Sequence, residues 1–335
     1  MIASPMNDLS IVVPLDFSRR SKDIYQRAIT LANVLDATGI KIIFGCAATP
    51  EKWVNKLKNK LENNTQVFII SCSDSQSQLA KLRNIAITQV TTPYVMFLDV
   101  DIVTNPEQIL QALTAVKQNS AQLCMYPCLY LSAKGTRQLS KQNIAAFKQY
   151  YYQFKREWIL HLAFPSSIII CDLQSVNAIQ GFDESYKGHG YEDFDFMLRL
   201  FKHKQLIEYS AQVIIDEPYM APMMATGFRA LLAKAQLEQL LQPIYFLHAY
   251  HSKDKQENYY QLRQQNQILF LKKFTQLYKA NAVISQSHDT LLLLNHFFQL
   301  LATHQKKPSE FTALWAEIPG HMFRGRKLLK WNVII

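Results

Sequence analysis

Residues 94–103, YVMFLDVDIV, run from a β-branched and aromatic strand pattern into two aspartates, Asp99 and Asp101, one residue apart. Three apolar runs of similar length precede it: SIVVPLDF (10–17), IKIIFGC (40–46) and QVFIISC (66–72). Between them, apolar residues recur at helical spacing over about 21–37, 51–62 and 78–89. Strands that alternate with helices predict an α/β fold with a mainly parallel sheet and right-handed crossovers. Such sheets collect ligands at the carboxyl ends of their strands, where Asp99 and Asp101 fall.

With 335 residues and 49% hydrophobic content, the chain is long enough to bury a large core, which excludes a disordered protein. Thirty-six Lys and Arg against 26 Asp and Glu give a formal charge of +10, favouring anionic partners such as nucleotides, phosphorylated lipids or an acidic membrane face. Cys46, Cys72, Cys124, Cys128 and Cys171 are scattered without a CxxC pair and read as buried, reduced thiols. The first residues, MIASPMNDLS, lack a basic stretch followed by an apolar run, and no uncharged apolar stretch is long enough to cross a bilayer. A cytoplasmic location is expected.

Beyond residue 122 the texture changes to isolated strand patterns, LCMYPCLYLS (123–132), SSIIICD (166–172) and QVIID (212–216), with a long aromatic-rich helix expected near 141–160. Leucine-rich helical segments follow at 261–280 and 288–304. This divides the chain into a domain over 1–260, with halves at 1–105 and 106–260, and a helical extension over 261–335.

Asp99 and Asp101 at i and i+2 would point the same way from extended chain, a costly arrangement unless a cation or donors neutralise them. A hard divalent ion bridging carboxylate and diphosphate, Mg²⁺ or Mn²⁺, is the natural partner. Neither GxGxxG nor GxxxxGK[ST] occurs, so a nucleotide would be held without either glycine-rich loop. Arg83 and Asn84, on the helix before the strand, are within reach of a phosphate or ribose. HxxH in YFLHAYHSKD (245–254) offers His248 and His251 as further ligands.

In GHGYEDFDFMLRLFKHK (188–204), a helix beginning near Tyr191 places Phe194, Met197, Leu198 and Phe201 on a buried face and Glu192, Asp195, Arg199 and Lys202 opposite. Asp193 falls inside the apolar arc, near Met197 and Leu200. It reads either as a capping acid at the helix start or as a general base at the mouth of a cleft.

RNIAI and YVMFLDVD, then GFDESYKGHGYEDFDFMLRL, then LHAYH, in that order, resemble the family-2-type inverting glycosyltransferases of bacterial capsule synthesis, relatives of the chondroitin-polymerase and β-1,4-galactosyltransferase group. The resemblance spans roughly residues 9 to 260 and implies a GT-A, Rossmann-like fold. It implies Mn²⁺ or Mg²⁺ on Asp99, Asp101 and His251, with His248 as second choice. It also implies an acceptor and base pair at Glu192 and Asp193. Pro14, Asp16, Arg83, Asn84 and Asp99 are the expected contacts of a nucleotide-sugar donor, by inference a UDP-sugar. His189 and Gly190 join Glu192 at the acceptor, a saccharide or lipid-linked saccharide.

Two departures stand out. His189 replaces the tryptophan usual between the glycines, and FGCAA at the end of the second strand lacks the acids that often contact the base, leaving that task to Asp16 or Asp74. A non-catalytic carbohydrate-binding or assembly subunit, or a sugar-phosphate nucleotidyltransferase, are the competing readings; no nucleic-acid partner is expected. The tail HMFRGRKLLKWNVII (321–335) carries Arg324, Arg326, Lys327 and Lys330 among apolar residues and reads either as a reversible anchor on an anionic membrane or capsule machinery, or as a terminal element packed on the domain.

Overall fold

The computed structural model describes residues 5–36, 38–73, 78–252, 261–281 and 293–316. Strands β1 (Leu9–Leu15), β2 (Lys41–Ala47), β3 (Val67–Cys72) and β4 (Tyr94–Phe97) alternate with helices α1 (Ser21–Val34), α2 (Glu51–Leu61) and α3 (Leu79–Ile87). The chain continues through β5 (Ile102–Val103), α4 (Pro106–Gln118), β6 (Leu123–Met125), β7 (Cys128–Leu131), α5 (Ala133–Gln138), α6 (Ala146–Tyr152), β8 (Ile159–Ala163), β9 (Ile169–Asp172), α7 (Leu173–Ala178), α8 (Glu192–His203), α9 (Gly227–Lys234) and β10 (Phe246–His248). The main sheet has the order β3-β2-β1-β4-β9-β6: its first four strands are parallel, and β9 runs antiparallel to both β4 and β6. A second sheet, β5-β10-β7-β8, stands beside it. The fold is therefore α/β, with a mainly parallel central sheet flanked by helices.

Burial explains why β1 is apolar apart from Ser10, whose hydroxyl accepts from Thr92 Oγ1 at 2.8 Å. All seven of its residues are buried, with Ile11 and Val13 facing the cluster under α1, α2 and α4, and Val12 facing the cluster that holds α8. Gly45 in β2 lets the backbone of α3 approach, since a Cβ there would run into the Leu82 carbonyl. Helix α4 starts where Asn105 accepts a hydrogen bond from Gln108 N at 2.8 Å, with Pro106 in its first turn.

Four local expectations are corrected. YVMFLDVDIV is two strands in different sheets, because Ile102 N donates to Asp99 O at 3.0 Å and closes a turn; Asp99 and Asp101 consequently do not share one strand face. LCMYPCLYLS likewise divides at Tyr126–Pro127 into β6 and β7. The aromatic helix spans only Ala146–Tyr152, ending where Phe154 takes a left-handed conformation (φ 58°) before the chain turns into β8. QVIID is a 3-10 turn rather than a strand: Ile215 O accepts from Phe228 N, so its backbone is joined to α9 instead of a sheet.

The helix Arg263–Asn281 buries Phe270 and Phe274 completely in the same apolar cluster as α8 and α9, each contributing about 1.5–3 kcal/mol. Lys273 fastens it further, bonding to Asp183 at 2.7 Å and to the fully buried Asp195 at 2.6 Å. Helix Leu293–Thr303 adds Phe297 and Leu301 to that cluster. Asp74 and the tail 321–335 lie outside the described residues. Among the described residues no helix is long and apolar enough to cross a membrane.

Candidate active site

A cleft of about 420 Å³ opens where β1 and β4 end and α8 begins. Pro14 and Asp16 follow from β1, Asp99 and Asp101 from the turn after β4, and His189 to Asp193 from the approach to α8; His248 and His251 enter from β10 and the residues after it.

The approach to α8 is built from conformations that ordinary residues resist. Gly188 (φ 72°), Gly190 (φ 87°) and Tyr191 (φ 78°) are all left-handed, turning the chain sharply enough that the first helical residues face the cleft. Asn266 braces this turn, donating to Lys187 O at 2.8 Å and Gly190 O at 3.0 Å. Tyr191 OH bonds to Asp216, which also pairs with Arg229.

Glu192 and Asp195, placed on the polar side by helical spacing, are both buried, at 6% and 0% exposure, because each is paired with a cation from elsewhere in the fold or the helix. Asp195 meets Arg199 at 2.6 Å as well as Lys273. Glu192 Oε1 meets Arg83 Nη1 at 3.2 Å, and Arg83 Nη2 bonds to Asp99 Oδ1 at 2.9 Å. Burial alone would lower the Arg83 guanidinium, but Asp99, Glu192 and Asp193 together raise it. Burial, and next the charge of Asp193, lift Glu192 to about 7 despite Arg83, and its Oε2 has no hydrogen-bond partner among the described residues. Burial also raises Asp193, a half-buried residue whose Oδ1 accepts from Phe194 N at 2.9 Å. The two carboxyls thus form a coupled pair that holds protons more tightly than free carboxylates.

On the opposite side, Asp101, His248 and His251 bring one ligand atom each to within 4.8 Å of one another. His248 Nδ1 lies 3.0 Å from Ala249 O and His251 Nδ1 lies 2.9 Å from Ser252 O. A carbonyl only accepts, so both Nδ1 atoms carry a proton; His251 Nε2 lies 3.5 Å from Asp101 Oδ2, and when the rings are neutral their Nε2 atoms bear the lone pairs that metal-ligating histidines use. His248 is held further by stacking on Tyr130, whose other face stacks on His161. One carboxylate and two oriented imidazoles fit a divalent cation.

Sequence reasoning missed the arginines around Asp101. Arg20 Nη1 and Nη2 bond to Asp101 Oδ1 and Oδ2 at 3.1 and 2.9 Å, and Arg27 Nη1 stands 3.2 Å from Oδ1. Burial opposes ionisation of Asp101, but the Arg20 bonds and the nearby His248 and His251 hold its carboxyl below the usual range. The pair RR at 19–20, directly after the first strand, was the available signal. Asn84 is placed away from the cleft lining: it donates to Phe182 O at 2.8 Å and accepts from Phe182 N at 2.8 Å, fastening the GFDE loop to α3. Asp99 is paired with Arg83 rather than grouped with Asp101, His248 and His251.

No curated protein matches the chain. Among solved structures, it is similar to TarS residues 1–349 of S. aureus, at 14% identity and TM-score 0.42 over 88% of this chain and 73% of that one. Glucosyl-3-phosphoglycerate synthase of Mycobacterium tuberculosis, in complex with Mn²⁺, uridine diphosphate and glucosyl-3-phosphoglycerate, is similar at 10% identity and TM-score 0.37 over 58% of this chain and 66% of that one. The catalytic domain of Drosophila β1,4-galactosyltransferase 7, in complex with xylobiose, is similar at 15% identity and TM-score 0.32 over 58% and 61%. Residues 10–276, from β1 into the helix Arg263–Asn281, match the model of glycosyltransferase like family 2, and the chain belongs to that family.

Proposed function

We propose that the protein is a metal-dependent inverting glycosyltransferase that moves a sugar, expected to be a hexose, from a nucleotide-sugar to a saccharide hydroxyl. The observation that carries this reading is the meeting, in one cleft, of a proton-holding carboxylate pair at the start of α8 with Asp101, His248 and His251. Family membership supports it.

In this reading, Asp193 takes the proton from the acceptor hydroxyl as that oxygen attacks the anomeric carbon. The bond from the anomeric carbon to the diphosphate oxygen breaks, the nucleoside diphosphate leaves with the bonding pair, and the centre inverts. Arg83 holds Glu192 beside the base and fixes Asp99 at the cleft wall. Asp101, His248 and His251 would hold Mn²⁺ or Mg²⁺, which supplies positive charge for the departing diphosphate. Two imidazole nitrogens favour Mn²⁺ over Mg²⁺.

Pro14 and Asp16 are assigned to the donor, with uridine as its base, and His189 and Gly190 to the acceptor. The division of the domain into a donor half (1–105) and an acceptor half (106–260) rests on the change of sequence texture, the acceptor's origin in capsule or surface polysaccharide on the resemblance in sequence motifs, and a place at the cytoplasmic face of the membrane or on the capsule machinery on the basic, aromatic tail 321–335. The test is incubation with a panel of UDP-, GDP- and dTDP-sugars and Mn²⁺, scored by nucleoside diphosphate release and by product mass. No release from any sugar nucleotide would overturn the reading.

A further inference from the structure

Five arginines line the cleft, and four of them are matched by carboxylates: Arg19 by Asp16, Arg20 by Asp101, Arg83 by Asp99 and Glu192, and Arg229 by Asp216. Arg263 is different. Among the described residues it makes no ion pair and no hydrogen bond; its guanidinium lies over the ring of Tyr191, 4.9 Å from the centroid.

Its position is prepared. Gly190 leaves the space that the guanidinium fills, since a Cβ there would run into Arg263 Nη1. Three residues along the same helix, Asn266 is 4% exposed and locks the 187–190 turn against that helix. The Tyr191 ring beneath the guanidinium is itself fixed through its hydroxyl to Asp216. A long, flexible side chain is thus held over the ring, lining the cleft together with His189 and with Asp193, on which its charge acts.

We propose that Arg263 is a specificity-determining residue that binds an anionic substituent, a carboxylate or phosphate, carried by the acceptor sugar. The inference rests on the transferase reading of the cleft and names the acceptor class within it. A planar guanidinium with a free edge matches both anions in two-point geometry. Its location explains why such an acceptor suits this site. Burial raises the proton affinity of Asp193, whereas Arg83, the Phe194 N–H and Arg263 draw it down. A permanent cation beside a base weakens that base. An acceptor that sets its own anion on Arg263 offsets the cation as it binds, and restores the base only when the acceptor is in place.

The experiment compares methyl β-glucoside with methyl β-glucuronide, and glucose with glucose 6-phosphate, by titration calorimetry on the full chain with UDP and Mn²⁺ present. The acidic member of at least one pair is expected to bind roughly ten- to a hundredfold more tightly. Which pair shows the preference distinguishes carboxylate from phosphate. Arg263→Gln is expected to abolish the preference without changing UDP affinity, and Arg263→Lys to retain part of it. Equal affinity within both pairs, absence of binding by both acids, or a preference that survives Arg263→Gln overturns the inference; so does a loss of UDP affinity in Arg263→Gln, which would assign the guanidinium to the donor. Release of UDP from UDP-sugars by the same preparation separates the two ideas: it sustains the transferase reading when Arg263 proves indifferent to charge, and its absence while acids bind through Arg263 overturns the transferase reading alone.

Discussion

Arg83 Nη1 lies 3.2 Å from Glu192 Oε1, joining α3 to the first residue of α8 across 109 positions of sequence. The same guanidinium reaches Asp99 at 2.9 Å and stacks 5.1 Å above the ring of Phe182, so one side chain ties the turn after β4, the GFDE loop and the start of α8 together.

Replacing Arg83 by methionine keeps most of the volume but leaves Glu192 buried without its cation. Breaking a buried pair in this way costs about 3–5 kcal/mol. Arg83→Met is therefore expected to lower the thermal midpoint, and the loss should shrink as pH falls. Removing the cation raises Glu192 further, so the deficit is complete where Glu192 would be charged and recovers as it gains a proton. Thermal unfolding at pH 5 and pH 8 checks this: an equal loss at both would show that the deficit does not come from the uncompensated carboxylate.

The carboxylate pair also sets a pH dependence for transfer. Base catalysis needs the ionised form, and Glu192 is raised to about 7 by burial and then by Asp193. Asp193, the assigned base, is itself raised above the ordinary carboxylate range by burial, so activity is expected to rise with pH as the pair ionises and then level off, the limb belonging to the pair rather than to one residue. Glu192→Gln removes one of the two like charges, so the limb should move to lower pH. A kcat/KM profile from pH 5 to 9 for both proteins makes the comparison; an unmoved limb would detach it from the pair.

Arg20 occupies both oxygens of Asp101 at 3.1 and 2.9 Å, which places it in competition with any cation held by Asp101, His248 and His251. Arg20→Ala should tighten Mn²⁺ binding measured without nucleotide, whereas Asp101→Ala should abolish it. His248→Ala and His251→Ala should each weaken it. Titration calorimetry or Mn²⁺ paramagnetic resonance reads all four. Unchanged Mn²⁺ affinity in Arg20→Ala would mean that the guanidinium is not in the cation's way.

What could be read from sequence follows a physical division. The first four strands were legible because each is a short, largely apolar run set between helical patterns; β1, covered on both faces, is buried at all seven residues. Asp193 was legible as an anomaly because its helical angle put a carboxylate among apolar side chains. The partners of Asp101 were not, since an arginine on a loop looks solvated until the fold supplies its carboxylate, and the contact of Arg20 with Asp101 spans 81 residues. Nor does spacing reveal that Phe154 takes a left-handed conformation, and the aromatic helix therefore appeared too long. The burial of Glu192 and Asp195 escaped notice for a related reason: periodicity sorts residues by polarity, but a distant cation decides whether an acid can be buried.

The strongest discrimination between a capping role and a catalytic one lies in Asp193 itself. Its oxygen Oδ1 accepts from Phe194 N, one residue on, and the side chain is half-buried at the cleft rather than enclosed in the core. An asparagine has nearly the same shape and keeps an oxygen for that bond, so Asp193→Asn should fold with a thermal midpoint close to that of the parent. It cannot accept the acceptor's proton, however, and kcat should fall by about 10²- to 10⁴-fold with donor affinity unchanged. Glu192→Gln should fail differently, retaining more kcat while raising the acceptor KM, because Glu192 is held by Arg83 beside the base rather than assigned the proton. Steady-state kinetics on both variants, with nucleotide affinity measured separately, decide the matter. Small and equal losses in the two would return Asp193 to the role of a helix-terminal acid and leave the proton of the acceptor hydroxyl to another group.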